Sequence, residues 1–461
     1  MPMKKIVEMK EEEDIDGLVE LLKAGDTKER AESAKALGIL GDRLALGPLL
    51  RSLDDEDEEA VRSNVILAIG HIDSERGIEP LIECLKDDSW VIRHDAAIAL
   101  GHIGNEEAVK ALDELLEKEE DIEIKQKAVE SLGEIGGEKA HDILMEHLDD
   151  ISVEEEVIKA LVKIDGDEIL PHLAQKIKDG EKSVREAAVQ GLASIGDEDS
   201  CELLVESLKD ESWRIREEAA KALGELNYKD AEPKLAEALD DSNQYVVEAA
   251  LESLGKIGDD ETIEVIKRKL DSEKPEIRSS AVKALGETGT EHSTEVLLDR
   301  LHLEEHPRVL WVISNSLSSG PNEFRDIIYD RMDEVIGVKE IVLSVSLAKM
   351  GDTRVIPKLL DFVDDNRWKI RQKVVEALRC IDLKEVGDNR AKSIIRKLKD
   401  ALHDNDKWVK VEAIKGLAEM IDEVGDRIDT SKEIEELERI SGSEGDQDVK
   451  AAIDESMTLL K

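Results

Sequence analysis

Apolar residues recur along this chain at the spacing of one helix face. In the stretch WVIRHDAAIALGHIG, Trp90 to Gly104, the residues Ile92, Ala96, Ala99, Leu100 and Ile103 fall at i, i+4, i+7, i+8 and i+11. That is a single stripe along a helix. Gly101 and Gly104 are expected to close it, because glycine tolerates the left-handed conformation that ends many helices. A second stripe follows from Glu106 to Glu117, carried by Ala108, Val109, Leu112, Leu115 and Leu116. One unit is therefore two amphipathic helices with short turns, and the unit repeats from end to end.

The Gly101 position serves as a marker. Its equivalents are Gly38, Gly70, Gly133, Val162, Ala193, Gly224, Gly255, Gly286, Ser318, Ala348, Arg379, Ala418 and Thr458. Most steps are 29 to 32 residues, and the last two are 39 and 40. This predicts about fourteen units and about 28 helices. Eight residues before the marker most units carry a cation: Arg30, Arg62, Arg93, Lys125, Arg185, Arg216, Arg278, Arg371, Lys410 and Lys450. Acids, Ser or Asn stand just before it, as in Asp87, Asp88 and Ser89, or Asp364 and Asp365. These are expected to cap the helix that follows. The cations are expected to form a ladder, each bonding the acidic turn of a neighbouring unit.

The pattern places the whole chain, 1–461, in one array of units. It is irregular at 303–350, where Leu310 and Glu340 replace the cation and SSGPNEF, Ser318 to Phe324, breaks the helix. A hinge is expected there. Longer, more basic units follow at 366–410, with a long turn after Arg379. The segment SGSEGDQD, Ser441 to Asp448, reads as a flexible loop within a closing cap at 432–461. Leu18, Val19, Leu21 and Leu22 suit an opening cap, and Val449, Ile453 and Leu459 the closing one.

The quoted unit DDSWVIRHDAAIALGHIGNEEAVKALDELL, Asp87 to Leu116, is echoed at Asp210 to Leu239 and Asp271 to Leu301. It resembles the HEAT-like repeats of phycobilisome lyases and of designed helical repeat binders. The resemblance implies an all-α, right-handed α-α superhelix, a HEAT-like solenoid. It also implies that the first helix of each unit lines a concave surface. Such units serve many roles, so the fold does not name the function.

Composition narrows the partners. Aromatics are 2% of residues, so the core must be Ala, Leu, Ile and Val. A formal charge of -47 repels phosphate backbones and suits a partner with a basic or mixed surface. Cys84, Cys201 and Cys380 are far apart in sequence and read as buried thiols of a reducing cytosol. Met1 to Asp14 is charged, without the apolar core of a secretory signal. No apolar run reaches the ~18 residues a membrane span needs, so a cytoplasmic protein without membrane contact is expected.

Catalytic patterns are few. His302-Leu-Glu-Glu-His306 matches the inverted zinc-protease motif. That chemistry needs both histidines on one continuous helix, and Pro307 marks the start of another. Arg93-His94-Asp95-Ala96-Ala97 resembles the ligand helix of deoxyhypusine hydroxylase, an enzyme of similar repeats that holds two irons with four His-Glu pairs. The equivalent positions here are Ala31-Glu32, Ser63-Asn64, Gln126-Lys127, Glu217-Glu218 and Ser279-Ser280. One ligand helix cannot build that centre. His71 and His102 occupy one place in adjacent units, on helix axes roughly 8–10 Å apart. They are expected as two separate exposed side chains. No Gly-rich phosphate loop, GxSxG elbow or HExxH occurs. No metal or cofactor is expected, and no enzymatic activity.

The tryptophans carry more information. Relative to the cation column, Trp90, Trp213 and Trp368 stand at minus three, Trp408 at minus two and Trp311 at plus one. All five avoid the core stripe and are expected as exposed anchors for a partner. Trp90, His94 and Ile98 form a stripe beside Leu67 and His71 of the preceding unit. From Asn366 to Lys410 there are 13 Lys/Arg against 7 Asp/Glu, inside an acidic chain. Arg367, Lys369, Lys373, Arg390, Lys392, Arg396, Lys397 and Lys399 supply most of that excess. The sequence therefore points to a non-catalytic protein-interaction scaffold with tryptophan anchors in an acidic concave surface. An alternative is a chaperone- or lyase-like factor acting on a protein-bound cofactor. A weaker one is nucleic-acid binding through the basic 366–410 region.

Overall fold

The computed structural model describes residues 2–258, 260–441 and 445–460, and every regular element among them is helical. Twenty-nine α-helices fit about fourteen two-helix units. The chain divides into two compact units, Met1–Ala219 and Ala220–Lys461. The charged opening stretch is itself a helix, Pro2–Glu11, which the repeat did not foresee; its Ile6 is buried. Of the expected loop at Ser441 to Asp448, Gly442, Ser443 and Glu444 lie outside the described residues. Gln447 already opens the final helix, capped by Asp446.

Every marker falls inside the first helix of its unit, from Gly38 in Thr27–Leu40 to Ala418 in Lys407–Val424 and Thr458 in Gln447–Leu459. Gly104 ends its helix at φ 58, as expected. Gly101 does not: it lies within the helix Trp90–Ile103 and serves a different purpose. A Cβ on Gly70 would stand 2.7 Å from the Ala99 Cα, and one on Gly101 would stand 2.8 Å from the Ser131 Cβ. Gly38 with Ala68 and Gly133 with Ala160 repeat the arrangement. In the second unit, Gly224 meets Ser253, Gly255 meets Ala284 and Gly286 meets Ser316 in the same way. The facing residue is always two before the next marker. In these seven repeats successive first helices thus approach closely at one point.

Two units reverse the pair. Where the marker is Val162, the facing residue is Gly191, whose Cβ would stand 2.8 Å from Val162 Cγ2. Where it is Arg379, the facing residue is Gly416, at 2.6 Å from Arg379 Cγ. The glycine changes sides and the close approach stays.

The cation column forms a ladder. Arg93 donates Nε to Glu119 at 2.8 Å, and its Nη1 bonds the carbonyls of Asp87 and Asp88 ahead of its own helix. Arg30 with Glu56, Arg62 with Asp87, Arg185 with Asp210 and Arg371 with Asp404 repeat the rung. Each acid also accepts backbone N–H groups of the turn it stands in, as Glu119 does from Glu120 and Asp121. Capping is correspondingly two-step. Asp87 accepts the N–H of Ser89, while Ser89, the N-cap itself, makes no cap bond. Asp121 and Asp406 do cap directly. Two rungs are inverted: the column position is Glu154 or Glu340, and Lys176 or Lys358 from the second helix of the same unit pairs with it.

The Arg278 rung is the most enclosed. Glu304, 2% exposed, accepts from Arg278 Nε and Nη2, from Arg300 Nη2, and from the N–H groups of Glu305 and His306. Burial alone would raise its pKa, but Arg278, Arg300 and the His306 N–H more than offset that. They hold it down from 4.5 to about 2. A carboxylate depressed in the folded state contributes fully above its unfolded pKa and loses that contribution as pH falls through the folded one. Glu304→Ala is therefore expected to cost about 3–5 kcal/mol near neutral pH, where it strands two buried guanidinium groups. Urea unfolding of variant and parent should show the gap closing between about pH 4.5 and about pH 2. A gap that is constant with pH would contradict the rung.

Candidate functional site

The first helices begin at the rung end of each repeat, and the tryptophans sit in their opening turns. Trp90, Trp213 and Trp368 are the first residues of Trp90–Ile103, Trp213–Glu225 and Trp368–Arg379. Trp408 is second in Lys407–Val424. Trp90, Trp368 and Trp408 are exposed. Trp213 and Trp311 are half-buried. Cations stack on three rings: Arg214 at 5.5 Å from Trp213, Lys369 at 5.5 Å from Trp368 and Lys407 at 4.7 Å from Trp408. Such stacking fixes ring orientation without covering both faces.

In the first unit, Trp90 is 52% exposed and meets the His94 ring edge-on at 6.4 Å. His94 Nδ1 lies 3.0 Å from Asp95 Oδ1, and Asp95 in turn accepts from Ser63 Oγ at 2.6 Å. Asp95 is buried, so this chain of bonds anchors the imidazole beneath the tryptophan. Ile98 and Leu67 beside it are half-buried. His71 Nδ1 donates to the Leu67 carbonyl, 2.7 Å away. Its ring meets His102 at 4.9 Å between centroids, edge to face. Both rings are exposed, as expected, and they meet because side chains reach across a gap that backbone axes do not close.

In the second unit, three successive first helices open a groove of about 700 Å³. Pro307, Leu310 and Trp311 line one side; Ile336, Val338 and Lys339 form its floor; Arg367, Trp368, Lys369 and Ile370 close the other. Trp311 and Trp368 thus share one site. Ile336, 86% exposed, belongs to it and was missed by the sequence reading. Its signal was present: Leu310 replaces the rung arginine, and Val335 and Ile336 stand where the facing acid belongs. Leu310 and Val335 are both buried. Apolar residues thus stand at both places of this rung, and the groove lies beside Leu310.

The basic region is largely paired within the chain. Arg367 bonds Asp365, Lys373 bonds Glu376, Lys397 bonds Asp364 and Lys399 bonds Glu433. Lys407 bonds Asp448 at 2.6 Å. Arg396, Arg390 and Lys392 are exposed.

The nucleophile and metal candidates are structurally committed. Helix Glu291–Leu303 ends before His306, which is the N-cap of Pro307–Ser319, so the zinc-protease motif spans two helices. Its acids are occupied, Glu304 by arginines and Glu305 by Lys339. Burial pushes the Cys84 thiol up to about 11, and Cys201 is also buried. Cys380 is exposed, contrary to expectation, and its Sγ lies 3.6 Å from the Glu376 carbonyl. Among the described residues no three His, Cys, Asp or Glu are grouped to hold a metal. Protein purified without chelator should carry no stoichiometric zinc or iron by atomic-emission assay. One tightly held equivalent would contradict these assignments.

Comparison with known proteins agrees with the helical architecture. A family model described as HEAT repeats matches residues 15–100, 78–162, 170–255 and 232–318. No individual curated protein matches the chain. Among solved structures, Kap121p bound to Pho4p is 15% identical with a TM-score of 0.59, covering 96% of this chain and 53% of that one. A structure of Kap95p with RanGDP is 11% identical with a TM-score of 0.64, covering 99% of this chain and 74% of that one. The chain spans about half the length of the Kap121p chains it matches. These likenesses concern the fold alone. The matched windows together extend over more than half of the residues, and the chain belongs to the HEAT repeat family.

Proposed function

We propose that this HEAT-repeat chain is a non-catalytic scaffold that holds another protein against the exposed ends of its first helices. The observation that carries this reading is Trp90. It is a large ring, half in water, steadied by His94, Asp95 and Ser63 in a chain whose core needs no aromatics. Rigid exposed aromatics contribute much of the energy in protein interfaces at little entropic cost. The concave acidic surface with tryptophan anchors is part of the proposal, as is a partner with a basic or mixed surface. A charge of -47 draws such a partner and discourages others. Matched structures include Kap121p bound to Pho4p, which supports a scaffold role by analogy of fold. Among the described residues no helix is long and apolar enough to cross a membrane. A cytoplasmic location is proposed with the rest.

The nucleic-acid reading of 366–410 is weakened by the pairing of its cations with the chain's own carboxylates. The lyase-like reading rests on the finer resemblance to phycobilisome lyases, and no cluster in the site favours it.

Trp90→Ala tests the proposal against Leu100→Ala. Trp90→Ala should cost about 1 kcal/mol of stability or less, as surface changes do. Leu100, fully buried, should cost about 2–5 kcal/mol. Affinity for a partner captured from the native cell should fall about thirtyfold or more in Trp90→Ala. Should Trp90→Ala unfold the protein as badly as Leu100→Ala, or leave partner affinity unchanged, the ring is structural and the proposal fails.

A further inference from the structure

The groove between Pro307–Ser319, Val338–Lys349 and Trp368–Arg379 differs in chemistry from the rest of the surface. It is apolar where Pro307, Trp311, Ile336 and Trp368 face it. Its rim is cationic, with Lys339, Arg367 and Lys369 against Glu305. In a chain with 111 acids and 64 Lys and Arg, that is a local inversion. It also sits where two successive rungs lack their arginine, at Leu310 and Glu340.

The cations are not equivalent. Lys339 donates to the His302 carbonyl and to Glu305, and Arg367 is turned onto Asp365. Lys369 lies over the Trp368 ring, 5.5 Å from its centre, and among the described residues no carboxylate forms an ion pair with it. An ammonium held on an aromatic face at the edge of an apolar groove is placed to meet an anion carried by whatever enters. The volume of about 700 Å³ lies in the ~300–1,000 Å³ range of sites that enclose a ligand. Here the groove is an open trough across three helices, so its occupant is a chain segment more naturally than a small molecule. A second copy of this protein would bring its own large negative charge to the contact, which opposes self-association.

We infer that this groove docks a peptide segment of a partner that carries a large apolar side chain flanked by aspartate or glutamate. The apolar side chain enters between Trp311, Ile336 and Trp368, and a flanking carboxylate meets Lys369. This rests on the scaffold reading but names an acidic segment, opposite to the basic or mixed surface proposed for the Trp90 region. The scaffold would then hold its partners at two chemically distinct places.

The test uses the full chain and two fluorescein-labelled heptapeptides, read by polarisation at low salt. Each has a Leu-Trp-Leu centre; one is flanked by aspartates, the other by lysines. The acidic peptide should bind at least tenfold more tightly, and the preference should shrink as salt is raised. Ile336→Asp and Lys369→Glu change exposed residues and should leave thermal unfolding unchanged. Each should weaken the acidic peptide at least tenfold, and Lys369→Glu should improve the lysine peptide. Trp90→Ala should leave acidic-peptide binding as it was. Equal or better binding of the lysine peptide overturns the inference. So does acidic-peptide binding that Ile336→Asp and Lys369→Glu do not change. Either result, with partner capture still lost in Trp90→Ala, sinks the groove and leaves the scaffold reading standing. Loss of acidic-peptide binding in Trp90→Ala would equally contradict the groove assignment.

Discussion

At nine contacts, successive first helices in this protein meet so closely that one of the two facing residues is a glycine without room for a Cβ. Interior packing is dense, and an extra methyl at such a point forces backbone to move. The contact falls between the marker and the residue two before the next marker, whereas Ala193, Ser318, Ala348 and Ala418 face Ala222, Ser346, Ala377 and Ser456, with a Cβ on both sides. Glycine sits on one side and Ala or Ser on the other in seven of these contacts. At Val162 and Arg379 the larger residue takes the marker and glycine takes the facing place. At the nine contacts the pair holds one Cβ and never two. It sets how near the helices stack, and so which side chains reach across the gap. His71 and His102 touch because of it, although the ordinary spacing of helix axes argues otherwise.

The ionic ladder lies at the opening ends of those helices and depends on the same spacing. Arg30, Arg93, Arg185, Arg278 and Arg371 each bond the turn before their own helix and the turn after their unit, registering two turns against each other. Where the ladder continues, the end surface is filled by guanidinium groups and their acids. Where an apolar residue replaces the cation, at Leu310, an apolar groove lies beside it. The proposed groove thus coincides with the substitution of a rung arginine.

Much of the architecture was legible in the chain. The marker register held in every first helix, even across the two long steps, because the stripe of apolar residues fixes which face turns inward. The ladder was legible because its acids stand at a constant offset from its cations. The purpose of Gly101 was not. Glycine signals both helix ends and close approach, and only the neighbouring helix distinguishes them. The inverted rungs at Glu154 and Glu340 were hidden because their lysines, Lys176 and Lys358, come from the second helix. The joint placement of Trp311 and Trp368 required stacking across three units. Ile336 could have been found by reading the acid column along with the arginine column, since both lose their charge in the same unit.

The claim on which this account rests is that the marker and its facing residue share one allowance of volume. Gly191→Ala, made in the parent and in a Val162→Gly background, measures it directly through the free energy of unfolding. In the parent, the new Cβ meets a stiff β-branched side chain, and a loss of about 1–3 kcal/mol is expected. In the Val162→Gly background the clash is gone and the Gly133–Ala160 arrangement is recreated. There the same change should be neutral or stabilise by up to about 1 kcal/mol, the helix preference of alanine over glycine. An effect of Gly191→Ala that is the same in both backgrounds would contradict the account.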